Sequence, residues 1–143
     1  MVMNVSVVIP TYNRKPILEK CLKALEKQTL KNIITDYEIV VIDDGSTDGT
    51  STWIKNNSDI LPHVVLYQQK HGGPALGRNL GVMKSKFEII IFIDSDLIVL
   101  DDFLACHVKK LLSSWKKITK NVLLMALLSI PLTLKIQKTK CLS

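Results

Sequence analysis

With 143 residues, 47% of them hydrophobic, the chain can bury one core of real size and is too apolar to be disordered throughout. Its formal charge of +6 is unevenly spread: residues 1–102 carry 11 Lys+Arg against 13 Asp+Glu, whereas residues 103–143 carry 8 Lys and no acid, so the body offers no nucleic-acid surface. Cys21, Cys106 and Cys141 are odd in number and lack C-x-x-C spacing, so they suggest neither a disulfide framework nor a zinc site and fit a reducing compartment.

The N-terminus enters an apolar run at once, with no basic segment and long apolar stretch before it, so cytoplasmic synthesis is expected. Residues 5–9 form the first predicted strand. A helix is predicted over 16–28, where Ile17, Leu18, Cys21, Leu22 and Leu25 make one apolar stripe and a proline sits near the first turn. Strands follow over 38–42, 64–67 and 88–93, with helices between them over 50–56 and 74–84. The strands are almost continuously apolar, which implies burial on both faces and hence a parallel sheet. The expected fold is α/β, a doubly wound and mainly parallel sheet.

A further amphipathic helix is predicted over 103–117, with Leu104, Val108, Leu111, Leu112 and Trp115 on its apolar side. Residues 1–117 thus read as one α/β domain and residues 118–143 as a basic and apolar tail. Beyond Asn121 a strand, a core helix and a poorly ordered segment all remain open. The apolar stretch 122–134 is broken by Ser129, Pro131 and Thr133 and falls short of the roughly 20 residues a spanning helix needs. With its lysines, the tail is expected to make at most a weak peripheral contact with an anionic lipid surface, at the inner face of a membrane.

In an open parallel sheet the ligand crevice lies outside the carboxyl ends of the strands. The segments there are Pro10-Thr11-Tyr12-Asn13-Arg14, then Asp43-Asp44-Gly45-Ser46-Thr47-Asp48-Gly49, then Asp94-Ser95-Asp96. In extended backbone Asp94 and Asp96 point to the same side, and hard oxygen ligands there suit Mg²⁺ or Mn²⁺ bridging to a phosphate. Taken singly, each segment is more often a turn, and Ser46 or Asp48 could cap the helix at Thr50. Their coincidence on one rim points to a site. A glycine loop opening the helix at Pro74 adds Arg78, whose planar fork suits phosphate oxygens, and backbone N–H groups that could meet an anion. Neither G-x-G-x-x-G nor the Walker pattern is present.

Together V-S-V-V-I-P-T-Y-N-R, E-I-V-V-I-D-D-G-S-T-D-G-T, G-x-x-x-x-R-N-x-G and D-S-D, in this order and spacing, resemble the family two glycosyltransferases over residues 4–102. The resemblance implies a GT-A fold, a nucleotide-diphosphate-sugar donor and inverting transfer to a sugar, lipid-linked or protein acceptor, as in cell wall or polysaccharide biosynthesis. It implies that Pro10, Thr11, Tyr12 and Asp43 hold the base and ribose, with Asn13 and Asp44 beside them. Arg78 and Asn79 would border the donor, Asp94 and Ser95 would face the ribose or sugar, and Asp96, aided by Asp94, would hold the metal. The general base of such enzymes is a carboxylate well beyond the D-x-D, yet no Asp or Glu follows Asp102 here and His107 is the sole imidazole after it. An incomplete C-terminal part and impaired transfer are therefore expected. The alternatives are a non-catalytic nucleotide-sugar-binding remnant and a nucleotidyltransferase. A receiver-like phosphoacceptor domain is disfavoured, since it needs its acidic pair after the first strand, which here ends in Pro10-Thr11.

Overall fold

The computed structural model describes residues 3–126. Its elements run β1 (Met3–Thr11), α1 (Lys15–Leu25), β2 (Ile34–Asp43), α2 (Thr50–Asn56), a 3-10 turn (Ser58–Ile60), β3 (Val64–Gln68), α3 (Pro74–Lys84), β4 (Ile89–Phe92) and α4 (Phe103–Ala126). The four strands form one sheet in the order β3-β2-β1-β4, and every pairing is parallel. β1 and β2 begin earlier than their apolar runs, because backbone pairing carries Asn4 opposite Asp36 without need of apolar side chains. α4 continues to Ala126, past the Lys117 at which the predicted helix stops. Expectations for residues 127–143 lie outside the described residues. Among the described residues no helix is long and apolar enough to cross a membrane.

β1 and β2, in the middle of the sheet, are buried on both faces over most of their length, whereas the edge strand β3 is only half-buried and exposes Val65. On one face Val5, Val7, Ile9, Ile39, Val41 and Ile91 pack with Leu18, Cys21, Leu22 and Leu25 of α1 and Leu104 and Val108 of α4. On the other, Val8, Val40, Ile42 and Ile90 meet Leu80 and Val82 of α3. Burial also pushes the Cys21 thiol up to about 11, with a smaller contribution from the Asp96 charge, so this cysteine is an inert core residue. At the amino ends of the strands the buried Glu38 carboxylate accepts the Ser6 hydroxyl at 2.6 Å and the Lys86 N–H at 2.6 Å, which ties the α3–β4 connection to β1 and β2.

α3 lies on the sheet through glycines. A Cβ added at Gly81 would stand 2.2 Å from Val8 Cγ1, and one at Gly77 would stand 3.0 Å from Pro10 Cβ. Val8 is fully buried and has nowhere to go. Gly81→Ala should therefore destabilise the fold by about 1–3 kcal/mol through overpacking, although alanine is the better helix former. A thermal melt of the variant at or above the parent midpoint would refute this close approach.

Candidate functional site

The register sets Thr11 level with Asp43, and Asp43 level with Gln68, so the carboxyl ends of β1, β2 and β3 form one rim. There a cavity of about 470 Å³ is lined by Pro10, Thr11, Tyr12, Arg14, Asp44, His71, Gly73, Pro74, Arg78, Asp94, Ser95 and Asp96. That volume is in the range of small-molecule sites.

Much of the polar rim sequence is spent on holding its own loops. Asn13 adopts φ 50, a left-handed conformation that asparagine tolerates. Its N–H donates to Ser46 Oγ at 2.9 Å, and its side-chain oxygen accepts the Thr47 N–H at 2.8 Å. Asp48 accepts the Lys15 N–H at 2.8 Å with one oxygen and the Thr50 N–H and hydroxyl with the other, so it joins the start of α1 to the start of α2. Asp43 is fully buried; its carboxylate accepts the Ser46 N–H at 2.9 Å and the Ser51 hydroxyl.

Asp44 is the anion that the glycine loop holds. The loop amides that could have met a ligand are taken up within the protein: Gly72 and Gly73 donate their N–H groups to the Asp44 carboxylate at 2.9 and 2.8 Å. Gln69 Nε2 donates at 2.6 Å, and His71 Nδ1 lies 2.9 Å away. Gly73 has φ 88, a conformation glycine adopts without a steric cost, and this aims both amides at one carboxylate. Burial raises the Asp44 pKa, but the hydrogen bonds from Gln69, Gly72 and Gly73 and the His71 charge outweigh it, and the group is held below the ordinary carboxylate range. Asp48 is lowered in the same way, with burial outweighed by Thr50 and Lys15.

Since these folded pKa values are depressed, the stability the two groups contribute is complete above the unfolded value of about 4 and is lost as pH falls through the folded values. Acid melts should therefore steepen below about pH 4, and Asp44→Asn, less stable at neutral pH, should lose less on acidification. An acid slope unchanged in that variant would rule out the clamp.

The rest of the cavity is a wall and two ion pairs. Tyr12 and His71 stack with ring centroids 4.1 Å apart and planes inclined at 29°. Beside them the buried Thr11 Oγ1 has no hydrogen-bond partner among the described residues. Arg14 Nη1 lies 2.9 Å from Asp96 Oδ2, and Arg78 Nη2 lies 2.7 Å from Asp94 Oδ1. β4 ends at Phe92, so Asp94-Ser95-Asp96 forms a turn, closed by the Leu97 N–H on the Asp94 carbonyl, rather than extended strand. The alternation nevertheless persists: Asp94 and Asp96 are exposed in the cavity and Ser95 between them is buried.

Among the described residues no group of three or more His, Cys, Asp or Glu could hold a metal ion by itself. Two cavity carboxylates nevertheless fit Mg²⁺ or Mn²⁺ arriving with a diphosphate, since such ions use one or two carboxylates plus phosphate oxygens. Of the residues singled out in the sequence, Pro10, Thr11, Tyr12, Asp44, Arg78, Asp94, Ser95 and Asp96 line the cavity together, whereas Asn13, Asp43 and Asn79 do not. Arg14 and His71 are lining residues not assigned from sequence. Their signal lay in the rim segments: a cation directly after the first strand's polar turn, and an imidazole opening the glycine loop.

The model of glycosyl transferase family 2 matches residues 6–122. The chain belongs to this family. One relative is the glycosyltransferase GlyA of Streptococcus pneumoniae, 34% identical over 107 residues, which are 75% of this chain and 15% of GlyA. Staphylococcus aureus TarS (residues 1–349), solved with UDP, superposes with a TM-score of 0.65 at 30% identity, covering 75% of this chain and 31% of that one. The mannosyltransferase PcManGT of Pyrobaculum calidifontis, solved with GDP-Man and Mn²⁺, gives 0.58 at 28% identity, covering 67% and 28%. The parallel sheet is thus the GT-A type α/β fold of family 2 transferases. This chain spans less than a third of each of these proteins.

Proposed function

We propose that this family 2 domain binds a nucleotide-diphosphate sugar together with a divalent cation, as the donor side of an inverting sugar transfer. The observation that carries this is a cavity that combines an aromatic wall, an unpartnered buried hydroxyl and two arginine–aspartate pairs. The similar structures TarS and PcManGT are solved with UDP and with GDP-Man and Mn²⁺, which supports the same ligand class here.

In this proposal Pro10, Thr11 and Tyr12 face the base and ribose, with the Thr11 hydroxyl gaining its missing partner from them. Asp43, Asp44 and Asn13 keep the loops in place around that pocket. Arg78 borders the donor, with Asn79 beside it on α3 but outside the cavity lining, Asp94 and Ser95 face the donor's ribose or sugar, and Asp96, with Asp94, holds Mg²⁺ or Mn²⁺. A bound divalent ion supplies charge neutralisation at the departing diphosphate. Arg78 adds a hydrogen-bond donor for the same oxygens.

Calorimetry of the full chain with UDP, GDP and dTDP, each with Mn²⁺ and with chelator, tests the proposal. Binding of at least one nucleotide that strengthens with Mn²⁺ is expected. No binding by any of them would end the donor assignment, and equal binding in chelator would remove the metal from it.

A further inference from the structure

The geometry points to Arg14 as a placeholder cation, which neutralises Asp96 in the free chain and, on donor binding, leaves Asp96 to the divalent ion and takes a diphosphate oxygen. This rests on the donor assignment proposed above and names a residue that assignment does not use.

The first support is charge balance within the cavity. Asp94 and Asp96 share the space, and each is matched by one guanidinium, so the four groups sum to zero. At the inner wall the Asp44 carboxylate is already taken up by donors from Gln69, Gly72 and Gly73, so it stands outside this exchange. A divalent ion brings +2 and the two ionised phosphates of a nucleotide sugar bring about −2, so the pair of ligands enters without leaving net charge if carboxylates turn to the ion and guanidiniums to the phosphates. Either ligand alone would leave an imbalance.

The second support is that Arg14 is fixed where the exchange needs fixity and loose where it needs motion. Its backbone is clamped on both sides: Asn13 is bonded to Ser46 and Thr47, Lys15 N–H to Asp48, and the Arg14 carbonyl accepts the Leu18 N–H at 3.0 Å. Its side chain is 54% exposed, Asp96 is 51% exposed, and Asp96 is the guanidinium's one hydrogen-bond partner among the described residues. An exposed pair of this kind is weakly held. The guanidinium can therefore change partners by rotating its side chain alone, and its unused N–H groups form the planar fork that suits phosphate.

The exchange predicts effects of opposite sign, which a merely structural residue would not produce. In Arg14→Ala, Mn²⁺ alone should bind severalfold more tightly, because its competitor for Asp96 is gone. The same variant should bind UDP in Mn²⁺ about tenfold more weakly, the loss of one charge-assisted contact. Arg14→Lys should return Mn²⁺ binding to the parent level while recovering UDP binding only in part. Free Mn²⁺ is read by electron paramagnetic resonance and UDP by calorimetry, on the full 143-residue chain. Mn²⁺ binding that does not tighten in Arg14→Ala, or UDP binding that does not weaken, overturns the placeholder while leaving the donor assignment standing. A parent chain that binds no nucleotide diphosphate overturns both.

Discussion

Given a nucleotide sugar and a panel of acceptors, the 143-residue chain is expected to transfer sugar at least about 10²- to 10⁴-fold more slowly than a full-length relative. That is the range general-base assistance supplies, and acceptor positioning adds to it. No carboxylate follows Asp102, and His107 is outside the cavity lining, with its Nδ1 2.9 Å from the Phe103 carbonyl. Within residues 103–143 there is thus no carboxylate to deprotonate an acceptor hydroxyl. Mass spectrometry of products, with a full-length family member as control, reads the outcome. Turnover equal to that control would contradict the expectation and direct the search for a base to His107 and the cavity carboxylates.

The second large effect is at the D-x-D turn. Asp96→Ala should weaken nucleotide-diphosphate binding in Mn²⁺ by roughly ten- to a hundredfold, the range for a lost contact to a charged group. In chelator the variant should bind no more weakly than the parent, because the lost carboxylate aids the nucleotide only through the ion and its loss also releases Arg14. The fold should be little affected, since Asp96 is exposed and its partner Arg14 is exposed as well. A variant that keeps its Mn²⁺-dependent affinity would take Asp96 out of the metal site.

What could be read in advance was whatever rests on local pattern. The apolar β-branched runs located all four strands, and the helices expected between them over 50–56 and 74–84 have those observed ends. The common rim followed from parallel topology, which is why Thr11, Asp44, Arg78 and Asp96 could be brought together from sequence. Contacts between distant residues were another matter. Asp44 takes the Gly72 N–H across 28 positions, so amides that looked free for an anion were committed already. Arg14 meets Asp96 across 82 positions, and nothing in the residues around Arg14 marks that partner. Gly81, part of the G-x-x-x-x-R-N-x-G pattern, has its reason in Val8 on the other side of the helix–sheet interface.

The strand order has a bearing on how the protein is made. β1 is central, flanked by β2 and β4, and its pairing with β4 joins Val5 to Ile89. During synthesis the amino-terminal part leaves the ribosome first, so Tyr12, Asp44 and His71 can assemble once α3 is available, whereas Asp94 and Asp96 take their places only after β4 has docked. That last pairing closes the longest loop in the sheet and is the slow kind of contact. A nascent chain would thus acquire its aromatic wall before its D-x-D carboxylates, and Mn²⁺-dependent nucleotide binding would report, during refolding, the arrival of β4.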